Sequence, residues 1–276
     1  MATMIESPSN PRVRAAAALR DRRDREATGQ TLVDGARESR RALEAGVRVV
    51  TAFACPDLLV GEDGAAALAL ARTRGAEIVE LSRRAFEKLA YGDRADGIVL
   101  VVEARPTDLA SLDLAAIGHP PLVVITEGLE KPGNLGAILR SADGAGADAL
   151  IAIGGTDLFN PNVVRASVGT IFSVPIAAAN AAQARDWLGE QGLRIVTARV
   201  DADRLHTDAD LAGPLAIVLG SEAEGLSDAW RGAGVEAIRL PMLGIADSLN
   251  VSVAAAVLLY EARRQRDSPS TRHTPG

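Results

Sequence analysis

The side chains best suited to chemistry in this sequence fall in three short stretches rich in glycine or polar residues. The first, residues 127–140, reads EGLEKPGNLGAILR and crosses from a strand-like run into a helix-like one. It holds Asn134, whose short amide suits a helix N-cap, and Arg140 six residues on. Alone, the pair amounts to a cap and a solvated cation. The second, residues 219–227, reads LGSEAEGLS, with Gly220 and Gly225 flanking Glu222. Glycine permits a left-handed turn or a close backbone approach to a ligand, and Ser227 is placed to cap the helix expected next. The third, residues 240–254, reads LPMLGIADSLNVSVA and sets Ser248 and Asn250 at the mouth of the last helix. Capping accounts for one of these two side chains, hardly for both.

Other familiar chemistries are missing. There is no GxxxxGK[ST] phosphate loop and no GxGxxG after a strand; the glycines at 144, 146, 154 and 155 do not match that spacing. His119, His206 and His273 fall in expected loops or the tail, without triad or ligand spacing, so no metal site is expected. The single Cys55 excludes a disulfide framework and reads as a buried filler. No run approaches the ~18–20 apolar residues of a membrane span, and the start, MATMIESPSNPRVR, does not read as a secretory leader. A reducing cytoplasm is the expected compartment.

The elements that must position the three stretches follow from composition and pattern. The 276 residues are 47% hydrophobic but only 3% aromatic, so the core must be built from Ala, Val, Leu and Ile. Strand-like and helix-like segments alternate almost throughout, the pattern of an α/β fold with a mostly parallel sheet. In the first 105 residues, helices are expected at 10–27, 37–45, 65–74 and 83–90, and strands at 47–54, 77–81 and 98–103. Residues 106–120, bracketed by prolines, form the expected linker. From 121 a second unit begins with the all-apolar run LVVIT, continues through further apolar strands including LAIVL at 215–219, and closes on a long helix at 249–266. Residues 267–276 read as a disordered tail.

The net charge of −6 hides an asymmetry: residues 1–105 carry a net +1, and 106–276 a net −7. Residues 1–48 alone hold ten Arg against seven acids, and Arg supplies 28 of the 30 cations. The guanidinium fork suits phosphate, although an arginine bias also arises from genomic composition.

In order and spacing, NLGAILRSA, LGSEAEGLS and LPMLGIADSLNVSVAAA resemble the three signatures of the SpoU/TrmH branch of the SPOUT RNA methyltransferases, over about residues 121–266. Residues 1–105 are similar to that family's N-terminal RNA substrate-binding domain, through the helix opened by Asn10-Pro11 and the segment Gly35-Ala36-Arg37-Glu38. The resemblance implies a parallel sheet with a C-terminal trefoil knot and a bent S-adenosylmethionine held mainly by backbone groups. By position these are at Leu219, Gly220, Leu240, Met242 and Leu249. It implies methyl transfer to a ribose 2′-hydroxyl, with Asn134, Arg140, Glu222, Ser248 and Asn250 as catalytic residues and Arg165 as an RNA-facing cation. It further implies a homodimer, with structured RNA as partner, 23S ribosomal RNA above transfer RNA, and neither metal nor membrane involved. A non-catalytic RNA-binding factor on the same fold is the alternative from another class.

Overall fold

The computed structural model describes residues 4–90, 96–154 and 157–268. They form two compact units, the first made of Met1–Pro106 together with Asp157–Ser173, the second of Thr107–Thr156 and Val174–Gly276. The division is therefore not linear along the chain.

In the first unit, α1 (Pro11–Ala18) opens on Asn10, whose side chain accepts from the Arg12 amide, with proline at the first helical position. The single helix expected over 10–27 is in fact two. Asp21 caps α2 (Arg22–Thr28), and the buried Arg25 guanidinium reaches back to the carbonyls of Leu19 and Arg20, at 2.8 and 2.7 Å. After β1 (Gln30–Asp34), not singled out by pattern, come α3 (Ala36–Glu44), β2 (Val49–Ala54), α4 (Glu62–Thr73), β3 (Glu77–Glu80), α5 (Arg83–Phe86) and β4 (Ile98–Glu103). The strands make a mixed sheet in the order β1-β4-β2-β3, with only β2 and β3 parallel. On one face, Val13, Ala16 and Leu19 of the α1 region and Ala85, Phe86 and Leu89 around α5 pack against Leu32, Phe53, Val79, Val99 and Val101. Helices α3 and α4 pack on each other and on the sheet apart from this cluster.

The second unit begins with β5 (Leu122–Glu127), α6 (Pro132–Ala145) and β6 (Ala149–Ile153). The chain then contributes α7 (Pro161–Ala166) to the first unit, where Asp157 pairs with Arg25 and the Phe159 carbonyl accepts from Thr31 at 2.7 Å. It returns for β7 (Ile176–Ala179), α8 (Ala181–Glu190), β8 (Arg194–Ala198), β9 (Arg204–Leu205), β10 (Leu215–Leu219), β11 (Val235–Arg239) and α9 (Val251–Asp267). Seven strands lie in the order β7-β6-β5-β10-β8-β11-β9, and every pairing is parallel. The inner strands β5, β6 and β10 are apolar on both faces, as two-sided burial requires. Trp187 and Leu188 of α8, with Trp230, close one side of this core.

The strand order reverses direction between β5 and β10. The chain steps outward from β5 through β6 to β7, and β10 later fills the slot between β5 and β8. At such a reversal, the loops leaving the carboxyl ends of the strands diverge and open a crevice. The segments after β5, β8, β10 and β11 all emerge there. Of the expected tail, residues 269–276 lie outside the described residues, and Asp267 ends α9.

Candidate active site

The loop after β10 is fixed by two glycines in different ways. Gly225 adopts φ +68°, a left-handed turn that closes an amide-to-carbonyl bond of 3.0 Å back to Ser221. Gly220 needs its missing side chain for space, since a Cβ there would lie 2.2 Å from the Gly225 carbonyl carbon. Ser227 does not cap the following turn, Asp228–Trp230, by its side chain. Its amide and hydroxyl instead donate to the two carboxylate oxygens of Glu127, each at 2.8 Å. Loop and neighbouring strand end are thereby tied together.

Glu222, at the outer part of this loop, is the hub. Its Oε1 accepts from the Asn250 amide, from Asn134 Nδ2 at 3.4 Å and from the Val251 backbone amide at 3.4 Å. Asn250 Nδ2 also donates to Asn134 Oδ1 at 3.2 Å. Lys131 Nζ stands 3.5 Å from the other oxygen, Oε2. The Val251 amide, the Lys131 charge and the Asn134 amide hold the Glu222 carboxyl below the ordinary carboxylate range, so it is ionised at neutral pH.

The cap expected at Asn134 sits elsewhere. Helix α6 starts at Pro132, and Asn134 lies within its first turn, its side chain released to the cluster. Asn250 is the N-cap of α9: its Oδ1 accepts from the Ser252 amide at 3.0 Å while its Nδ2 serves Glu222. One side chain starts the last helix and completes the cluster.

Helices α6 and α9 run side by side in the same direction. Asn134 meets Asn250 at one end, and ten residues on in each, the Tyr260 hydroxyl lies 2.6 Å from where a Gly144 Cβ would be. Arg140 is on the same stripe as Gly144, about 9 Å along the axis from Asn134 and turned roughly 120° away. It is exposed and makes no side-chain contact with the Glu222 cluster among the described residues. The structure thus brings together Asn134, Glu222 and Asn250, and leaves Arg140 facing outward beside α9. Arg165 is on α7 in the first unit, 3.9 Å from Asp34.

Beside the cluster opens a cavity of about 510 Å³ in the second unit. Leu219, Gly220, Leu240, Met242 and Leu249, the positions expected to hold a cofactor, all line it, as does Ser248, expected among the catalytic residues. Glu222 marks its mouth, and Asp201, Glu224 and Asp247 add carboxylates to the lining. Besides those three carboxylates, Lys131, Glu127 and Arg199 are participants that the sequence reading does not single out, the last lining the cavity and paired with Asp201 at 2.9 Å. The first two sit inside the motif stretch 127–140, which was the available signal; nothing in the pattern marks Arg199.

Comparison with known proteins gives concordant matches. Residues 121–260 match the model of the SpoU rRNA Methylase family, and residues 10–100 that of the MRM3-like substrate binding domain. The chain is 34% identical over 271 residues to the 23S rRNA (uridine(2479)-2′-O)-methyltransferase of Streptomyces viridochromogenes, covering 94% of this chain and 91% of that one. It is 36% identical over 203 residues to the 23S rRNA (guanosine-2′-O-)-methyltransferase RlmB of Ralstonia nicotianae, covering 72% and 81%. The AdoMet-bound rRNA methyltransferase of Sinorhizobium meliloti superposes with a TM-score of 0.85 at 29% identity, covering 97% and 99%.

Proposed function

This chain belongs to the SpoU rRNA methylase family, and from that membership we propose that it methylates a ribose 2′-hydroxyl of 23S ribosomal RNA with S-adenosylmethionine. The observation that carries the reading is the gathering of Asn134 and Asn250, from two separate stretches, on the carboxylate of Glu222, which itself lines the cavity.

The cavity suits that cofactor. Its volume falls within the ~300–1,000 Å³ of small-molecule sites. Its lining of Leu219, Leu240, Met242 and Leu249 is apolar, with main-chain groups exposed in the glycine turn. The carboxylates of Asp201, Glu222, Glu224 and Asp247 complement a ligand bearing sulfonium and ammonium charge. When bound, the cofactor supplies a methyl group already activated on sulfur, so the protein's work is alignment and charge stabilisation.

In this reading, Glu222 orients the two asparagine amides, and they in turn fix where an incoming ribose hydroxyl can sit, with Ser248 at the same mouth. Arg140 acts as a fixed positive charge for the developing 2′-oxyanion. A guanidinium, with a pKa above ~12, is a poor base and a good electrostatic partner. Because Arg140 faces away from its own cluster, it serves a site completed by a second subunit. Support for a homodimer comes from α9, where Val253, Val257 and Tyr260 form an exposed stripe, and from the fully exposed Leu243 and Ile245 in the loop that precedes it. The trefoil knot expected of the family, and a cytoplasmic location, belong to the same proposal; among the described residues no helix is long and apolar enough to cross a membrane.

The test is incubation with methyl-labelled S-adenosylmethionine and deproteinised 23S rRNA. Label retained in an alkali-resistant dinucleotide is the expected result, and mapping that dinucleotide identifies the target. Label on a base, or none in the RNA, overturns the assignment.

A further inference from the structure

The first unit carries its positive charge on one layer only. Residues 10–28 and 82–90, which hold α1, α2 and α5, contain nine cations against four acids. The opposite layer, α3 and α4, contains four against four. At the level of pairs the layers differ in number. Among the described residues Arg72 is the one cation of α3 and α4 with no ion-pair or hydrogen-bond partner for its side chain, and on the other layer Arg12 pairs with Glu77 and Arg22 with Glu26 while five remain. On the α3/α4 layer Arg40 is bound to Glu44 at 2.8 Å and to Asp63 at 2.9 Å, and Arg37 lies 3.9 Å from Asp63. On the α1/α2/α5 layer Arg14, Arg23, Arg83, Arg84 and Lys88 are exposed, and among the described residues none has an ion-pair or hydrogen-bond partner for its side chain.

Arg14, Arg83, Arg84 and Lys88 belong to elements that share one packed face, and α2, which carries Arg23, is tied to the end of α1 through the Arg25 guanidinium on the Leu19 and Arg20 carbonyls. Val13, Ala16 and Leu19 meet Ala85, Phe86 and Leu89 in a single apolar cluster, and the Arg20 guanidinium donates to the carbonyls of Leu89 and Ala90 at 3.0 and 2.7 Å. The turn that opens α3 is a poor rival. Around Gly35 stand the carboxyls of Asp34, Glu38 and Asp96, and Arg165 lies 3.9 Å from Asp34, so cationic charge there already has a carboxylate beside it.

We propose that the α1/α2/α5 face of the first unit is the surface that holds the ribosomal RNA, with Arg14, Arg23, Arg83, Arg84 and Lys88 on phosphates. The proposal rests on the reading of this protein as an rRNA methyltransferase. Unpaired surface cations are what phosphate contact requires: they gain a partner without first losing one, and each contact releases a counterion. Few aromatics accompany them, so the face reads backbone shape and not base identity.

The test compares two double charge reversals in the full-length protein, Arg83→Glu/Arg84→Glu and Arg72→Glu/Arg74→Glu, the latter an equal charge change at the end of α4. Binding to 23S rRNA is measured by filter retention across a salt series, and melting temperature checks folding. The first variant is expected to bind at least about tenfold more weakly with a salt slope reduced by about 0.7–0.9 per lost contact. The second is expected to stay within about twofold of the parent, and Arg83→Gln/Arg84→Gln to give a smaller loss in the same direction as the first. Equal losses in both reversals, or none in the first, overturn the face assignment. Parent protein that binds through this face yet transfers no methyl to the RNA overturns the enzymatic reading while leaving the face standing.

Discussion

At the scale of single residues, the site separates two kinds of work. Glu222, Asn134 and Asn250 lock one another, whereas Arg140 stands apart with its charge unspent. Arg140→Ala should therefore cut single-turnover methyl transfer by about 10²-fold or more, the scale of losing one preorganised charge contact. Calorimetric S-adenosylmethionine affinity should stay within a few-fold, because no cavity wall is touched; a parallel loss of cofactor binding would remove Arg140 from that role. The residue types were legible in the sequence. Their pairings were not: Ser227 reads as a cap, yet it bonds to Glu127, a hundred positions away, and Asn134, which also reads as a cap, lies inside α6 with its side chain turned to Glu222 and Asn250. Such choices are made by whichever partner the fold brings near, which local pattern does not encode.

At the scale of elements, the loop after β10 and the helix α9 carry the site. Gly220→Ala should abolish cofactor binding by calorimetry while the protein still melts cooperatively, since the added methyl meets the backbone of Gly225 at 2.2 Å and the loop must open. On α9, Glu261 accepts from Arg264 at 2.8 and 2.7 Å and from Gln265 at 2.8 Å, and these bonds bring its pKa down to about 2. A depressed carboxyl contributes stability that is complete above its unfolded pKa of ~4.3 and is lost as pH falls toward the folded value. Urea unfolding of the parent should thus lose stability between pH 5 and pH 2.5 (chosen as roughly bracketing those values) that Glu261→Gln does not lose; equal losses would refute the assignment. All-apolar strands such as LVVIT and LAIVL were readable because two-sided burial leaves an unmistakable run. The break between α1 and α2 was not, because it depends on Arg25 folding inward to the carbonyls of Leu19 and Arg20.

At the scale of the whole molecule, Val253, Val257 and Tyr260 leave an apolar stripe of α9 exposed, the surface on which the proposed second subunit would pack. For the proposed homodimer, Val253→Glu on that stripe should give a monomer in sedimentation where the parent sediments as a dimer, and lower methyl transfer with it; a parent that is itself monomeric, or a dimer unaffected by the charge, would overturn this contact. The alternation of strands and helices announced the α/β class and the parallel sheet. Which stretch joins which compact unit was beyond reach, since α7 is recruited to the first unit by contacts such as Thr31 with the Phe159 carbonyl, separated by well over a hundred positions.

That recruitment sets a timetable for biosynthesis. When residue 106 leaves the ribosome, the first unit still lacks the segment Asp157–Ser173, so Arg25 has no Asp157 and Thr31 no acceptor from Phe159. Roughly 70 further residues must be made, which at 5–20 residues per second leaves the nascent domain incomplete for about 3–14 s.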